Sequence, residues 1–451
     1  MERMKNILGV FILFSILTLS SVPIASSQGY TVAELWSNPM AVNDVAVSGD
    51  GNYVAAVNDT GVYFFSRDSS QPRWWYTDDG GYFMSVAISA NGEYVVAGYT
   101  NSSGSGFLYY FKDSTTTFNG RGYTWKSVAF PGAIDNSRLV AISDNGSFVV
   151  AGANNETGTQ YYYLEYFNHS TERFSSSESK TWEISSSPGL IVSSLDMSAD
   201  GKYVVAGGFD PVLPIGWVLF IKDSYTVPSP SWINANLERI WDVALSDDGY
   251  AVAAVSPYFP DTLYYWKDAT TLSSLNNLAN WTNQLGYGCV DISSDGNRVV
   301  AGTPAAICGI HLWDGARTRS STNEPETWNR FAGQWIPDIG ISRDGLIIAA
   351  TGVNQTEDTS WTDFFTSSGD LIGQFAIDAP GMVVSTSSDG STTAVAAGVL
   401  GTVYVYGITR MAAVGGFVLP LELSGYPAIL IMVAIAASAA IAIAARKRLL
   451  Q

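Results

Sequence analysis

The chain has 451 residues, 47% hydrophobic and 13% aromatic, with 41 acidic side chains against 23 basic ones and a formal charge of −18. That is ample material for a large core. The acidic balance argues against a nucleic-acid partner, whose phosphates attract basic surfaces.

In chain order, residues 1–27 read as a secretory signal peptide: Arg3 and Lys5, then the apolar "ILGVFILFSILTL", then the small residues of "IASSQ" around a cut after Ser27. "TVAELWS" at 31–37 follows as a strand. Eight similar words come next, aligned on a turn glycine: Gly51, Gly92, Gly146, Gly201, Gly249, Gly296, Gly345 and Gly390. "VAISANGEYVVAG" at 86–98 is typical. Asp or Asn before Gly suits a tight turn, since Gly takes positive φ without steric cost, so each word is predicted to be a β-hairpin. The "YVVAG" half is apolar on both sides, as expected of a strand packed between two sheets.

An aromatic third strand follows each hairpin, from "VYFF" at 62–65 to "VYVY" at 403–406. A fourth strand is marked by an aromatic 15 to 21 residues before the next turn glycine: Trp36, Trp75, Trp125, Trp182, Trp232, Trp281, Trp328 and Phe375. The glycine intervals of 41 to 55 residues match one four-stranded propeller blade. The first fourth strand precedes the first hairpin, and the eighth blade ends at "VYVYG" with none after it. Ring closure answers both facts: the strand at Trp36 completes blade eight and removes two sheet edges.

After a linker at 407–426, "PAILIMVAIAASAAIAIAA" at 427–445 is uncharged and about 28 Å long as a helix, the length of a membrane span. Arg446, Lys447 and Arg448 follow, which by the positive-inside rule leaves a cytoplasmic tail of 446–451 and an extracellular propeller at 31–406.

The words "S-x-D-G-x-Y-V-V-A-G", the "KD" pairs at Lys112–Asp113, Lys222–Asp223 and Lys267–Asp268, and the following "TW" resemble the WD40-like and quinoprotein-like (PQQ) propellers of archaeal and bacterial cell surfaces. The resemblance covers about 31–406 and implies a propeller. Its quinoprotein side further implies pyrroloquinoline quinone over the axis, a nearby calcium and commonly a vicinal Cys-Cys pair. The two cysteines here, Cys289 and Cys308, have 18 residues between them, and only Trp313–Asp314 ends a third strand with the Trp-Asp of WD40 repeats.

Cys289 and Cys308 flank strands of one blade, which leaves open a disulfide or two buried thiols. His169 and His311 belong to no catalytic array or metal spacing. The "DG" turns lack a calcium-loop ligand ladder. Asp44, Asp242 and Asp338 stand just before the first strands of blades one, five and seven, and Asp378 lies in the loop before blade eight. Converging at the channel mouth, these carboxylates are the candidate site for a hard divalent cation such as calcium, or for a basic partner; a hydrated acidic rim is the alternative. On the same face Tyr258, Phe259 and Trp335 are candidate partner contacts. Seven sequons offer glycosylation sites: Asn58, Asn101, Asn155 and Asn354 on that face, and Asn145, Asn168 and Asn280 on the other.

The sequence thus predicts an all-β, eight-bladed β-propeller, with a seven-bladed ring as the structural alternative, carried by a signal peptide and one C-terminal transmembrane helix. The expected role is non-catalytic binding or scaffolding at the cell surface, with an envelope protein or polysaccharide as partner and no bound cofactor. The competing expectations are an extracytoplasmic quinoprotein-like oxidoreductase or metal-binding propeller with its site at the axial channel, and a purely structural envelope component.

Overall fold

The computed structural model describes residues 29–116, 122–155, 161–185, 190–226, 229–257, 262–274, 277–303, 309–331, 335–354, 359–398, 401–414 and 417–420. The expected signal peptide, the transmembrane helix and the cytoplasmic tail lie outside these residues. No helix among the described residues is long and apolar enough to cross a membrane. Two compact units are present, one of residues 32–408 and one of 1–31 with 409–451.

Residues 32–408 form eight antiparallel sheets arranged as a ring, each with four blade strands. The innermost strands are Asp44–Val47, Gly81–Ile88, Val140–Ile142, Ile191–Met197, Asp242–Leu245, Cys289–Ile292, Ile339–Ile341 and Gly381–Thr386. Each pairs with the second strand of its hairpin, that strand with the aromatic third, and the third with the fourth, which carries a Trp in every blade but the seventh. In blade eight the fourth strand is Tyr30–Asn38, beside Thr402–Val414, so the chain's first strand closes the ring as expected.

The hairpin turns explain why the repeated word reads as it does. In all eight, the turn serine donates Oγ–H to the Asp or Asn two residues on and accepts the N–H five residues on, as Ser246 does with Asp248 (2.6 Å) and Ala251 (2.9 Å). Glycine follows because φ is positive there, 72° at Gly249, and because the preceding blade lies against it, with an aromatic at Gly92, Gly146, Gly201 and Gly249: a Cβ on Gly249 would sit 1.9 Å from Cδ2 of Tyr203. Position "Y" of one word and "G" of the next are therefore one packing contact.

Two belts join the blades. On the turn face a closed circle of backbone bonds crosses every seam: Asp50 to Ala90, Ala90 to Asp144, Asp144 to Ala199, Ala199 to Asp247, Asp247 to Ser294, Ser294 to Arg343, Asp344 to Ser388 and Ser388 to Gly49, all N–H to carbonyl within 3.2 Å. Further out, the fourth-strand indoles stack on third-strand aromatics, such as Trp182 on Tyr166 with centroids 5.0 Å apart. Each indole then donates its N–H to a carbonyl of the next blade: Trp36 to Arg67, Trp74 to Ser114, Trp125 to Ser170, Trp182 to Ser224, Trp232 to Ala269, Trp281 to Ala316 and Trp328 to Ser367. Blade seven carries Phe375, so the seam between blades seven and eight has no such bond from this position.

Two expectations need correction. The belt residue of blade one is Trp74, fully buried, whereas Trp75 is 40% exposed on the alternate face of the same strand. The segment 407–426, expected as a linker, is strand in part: Thr402–Val414 runs on to hairpin with Phe417–Pro420, pairing Met411 with Pro420 and Val414 with Phe417. His169 is a turn residue at φ 50°, in the left-handed position that Asp113, Asp223 and Asp268 fill in other blades.

The glycine argument predicts that Gly249→Ala lowers unfolding free energy by about 2–4 kcal/mol, from a left-handed backbone plus the overlap with Tyr203. Gly104→Ala, also at positive φ but facing open space, should cost only about 1–2 kcal/mol in the same urea titration.

Candidate functional site: the axial channel and its rim

The eight innermost strands enclose a cavity of about 350 Å³ on the propeller axis. Each is the inner edge of its sheet, so N–H groups there have no strand to pair with, and buried N–H groups must find acceptors. Side chains supply them across the seams. Asp44 accepts from Val86 of blade two (2.7 Å), Asp242 from Val290 of blade six (3.0 Å) and Asp338 from Val384 of blade eight (2.8 Å). One layer deeper, Asp196 accepts from Leu245 of blade five and Asp291 from Ile341 of blade seven, both at 2.8 Å. The seam between blades eight and one is joined by Ser385 Oγ, which accepts from Val47 (2.9 Å).

Two arginines span the axis in opposite directions. Arg138 of blade three reaches Asp338 (2.8 Å) and Asp242 (3.4 Å) at the mouth. Arg343 of blade seven grips both oxygens of Asp144 (2.7 and 2.6 Å) and lies 3.4 Å from Asp247 on the turn face. Each guanidinium thus ties blade three to blade seven, with blade five as the third point.

Enclosure sets the charge states. It pushes the Asp44 carboxyl well above the usual range despite its two backbone donors, and raises Asp338 in spite of Arg138. Asp196 is pushed up to about 7 and Asp291 to about 8, again by desolvation first. The enclosed Cys289 thiol is raised as well.

The structure therefore brings together three of the four predicted carboxylates, Asp44, Asp242 and Asp338. Their oxygens engage N–H groups, and two of the three also engage a guanidinium. Asp378 is elsewhere: it is exposed and accepts from Thr402 Oγ1 at 2.8 Å. Among the described residues no His, Cys, Asp or Glu group could hold a metal ion. Cys289 is a free thiol, and Cys308 lies outside the described residues. Trp335 is half-buried and bridges to Val353, while Tyr258 and Phe259 lie outside the described residues.

Asp196 and Asp291 were legible in one way: in "LDMS" and "VDIS" an aspartate replaces the small residue that the other words carry, Ala46, Ala87, Ala141, Ala244, Gly340 or Ser385. Arg138 and Arg343 stand at positions with no repeat signature.

The rim carries a second feature. Residues 210–215, joining the second and third strands of blade four, form a pinned loop. Asp210 Oδ1 accepts from Val212 (2.8 Å) and Leu213 (2.9 Å), and Arg239 donates to the carbonyls of Pro211 (2.9 Å) and Leu213 (3.2 Å). Its apolar side chains nonetheless face solvent: Val212 is 82% exposed, Leu213 49% and Ile215 41%. Beside it Trp241, 41% exposed, stacks on Phe209 with rings 10° from parallel and stands next to Asp242 at the channel mouth.

The propeller has solved counterparts. The chain has a WD40-type β-propeller fold. It is similar to the C-terminal WD40 domain of Sif2, with a TM-score of 0.61 and 12% identity over 84% of this chain and 98% of that one. It is also similar to the Dos1 propeller, with a TM-score of 0.58 and 13% identity over 84% and 94%. At such identities the likeness is one of fold. No family model matches the sequence, and no curated protein matches it.

The cross-axis braces predict unequal losses. Arg138→Met leaves two enclosed carboxylates facing one another and should cost about 3–5 kcal/mol in chemical denaturation. Arg343→Met, at a more exposed pair, should cost about 1 kcal/mol or less.

Proposed function

We propose that this protein is a non-catalytic binding or scaffold module displayed at a cell surface, anchored by the C-terminal apolar segment 427–445, with an envelope protein or a polysaccharide as its partner. The observation that carries this reading is the 210–215 loop with Trp241. Its backbone is held by its own hydrogen bonds while its aliphatic side chains face outward, so a partner could bury them without an ordering cost. Within residues 32–408 the first and last strands meet in blade eight, and the last runs toward the turn face.

The competing reading, an oxidoreductase with a quinone or metal on the axis, draws no support from a mouth that Arg138 spans.

The test is cross-linking in native membranes followed by purification of the protein. The variant Val212→Asp/Leu213→Asp should keep the wild-type melting temperature and recover at least about ten-fold less of the cross-linked partner. Equal recovery would sink the loop as the docking surface.

A further inference from the structure

Ring closure leaves one blade finished differently from the rest. In the other seven, the belt indole of the fourth strand donates to a carbonyl in the connection between the third and fourth strands of the next blade. Blade eight has no such connection, because its fourth strand, Tyr30–Asn38, comes first in the chain. The fourth strand of blade seven, Leu371–Ile377, therefore meets no such loop, and Phe375 stands where an indole N–H would lack that acceptor.

The consequence is a bare sheet edge. Among the described residues, the backbone groups of Leu371–Ile377 that face away from Thr359–Thr366 have no hydrogen bond. The other outer strands are covered or blunted. In blade two Lys126 donates its backbone N–H to Ser175 (3.0 Å) and accepts from Glu178 (2.8 Å), and in blade five Thr282 pairs likewise with Ser321 and Glu324. In blade four Asn277 donates its amide N–H to the Ile233 carbonyl (2.6 Å) and accepts from Asn234. Blades one, three, six and eight carry Pro72 with Arg73, Glu183, Arg330 and Glu34 on the strand itself. "LIGQFAI" has neither charge nor proline, and Leu371, Gln374 and Ala376 are exposed on it. Its charges stand just outside: Asp370 before it, which accepts from Ser368, and Asp378 after it, which accepts from Thr402, with no cation beside either among the described residues.

We propose that this edge takes up an extended segment of a partner protein as a fifth strand, a run of about seven uncharged residues with a basic residue at each end to meet Asp370 and Asp378. Unpaired N–H and C=O groups in strand spacing select another polypeptide backbone, and the exposed side chains at the edge select among sequences. Charge decides against a second copy of this chain. Paired antiparallel with itself in full register, the strand sets Asp370 of one copy opposite Asp378 of the other at both ends, like charge against like. A lysine or arginine at each end of the incoming strand reverses that sign. The edge belongs to the outer wall of blade seven and shares no residue with the 210–215 loop, so each surface stands or fails by itself.

The experiment is hydrogen exchange on the purified intact protein. The probe is a blocked nonapeptide of alternating valine and threonine with lysine at each end, at about 1 mM because so short a ladder binds weakly. Its control has proline at two adjacent central positions, which removes donors and breaks the ladder. Those amides of Leu371–Ile377 that exchange fast in the free protein should slow at least about five-fold with the probe and stay fast with the control. Asp370→Asn/Asp378→Asn should lose at least half of that slowing. Absence of slowing by the probe, or equal slowing by the control, would overturn the proposal. Uniformly slow exchange in the free protein would also overturn it, since another part of this chain would then already pair with the edge. Protection that grows with protein concentration alone would overturn it in favour of a second copy, and full slowing in the Asn variant would overturn the basic ends.

Discussion

The inner edges of the blades set the terms for the whole ring. Every four-stranded sheet ends on the axis with N–H groups that no neighbouring strand can satisfy, because adjacent inner strands splay apart instead of pairing. The chain meets this demand twice. The turn residues form a backbone circle that crosses all eight seams, and above it aspartates or serines reach to the next blade at several seams. Carboxylates suit this task, since two oxygens can serve the residue's own strand and its neighbour together, as Asp44 serves Val45 and Val86.

That solution carries an electrostatic consequence. Aspartates gathered round one axis repel, and the arginines from blades three and seven offset part of the repulsion by spanning it from opposite ends. A cluster that as a list of residues suggests a cation site is, as geometry, largely a structural joint with its counter-charge built in. Asp196 and Asp291 lie outside those two ion-paired clusters and join their seams by accepting backbone N–H groups on both oxygens.

Much of the fold was legible because the repeat writes its main contacts over and over. Turn serine, Asx and glycine recur because the turn needs all three, and the Trp of the fourth strand recurs because its N–H must reach the next blade. The order of strands even disclosed the closure at Tyr30–Asn38. What did not repeat stayed hidden. Arg138 and Arg343 each occur once, so no periodicity points to them. Trp74 and Trp75 differ only by which face of a strand they occupy, and a one-residue shift reverses that. The 210–215 loop reads as an ordinary connection until its hydrogen bonds show that the exposure of Val212 and Leu213 is fixed by Asp210 and Arg239. Asp378 was misplaced because closeness in sequence to an inner strand does not put a side chain on the axis.

The account turns on the claim that charge is balanced across the axis and not only within a blade. The most direct measurement is a double-mutant cycle between Arg138 and Asp338, residues 200 apart in sequence and 2.8 Å apart in space. Unfolding free energies are measured for Arg138→Met, Asp338→Asn and the pair. A coupling of about 2–3 kcal/mol is the predicted result, with the double variant more stable than the sum of single losses implies. Additive losses, with coupling near zero, would contradict a ring braced through its centre.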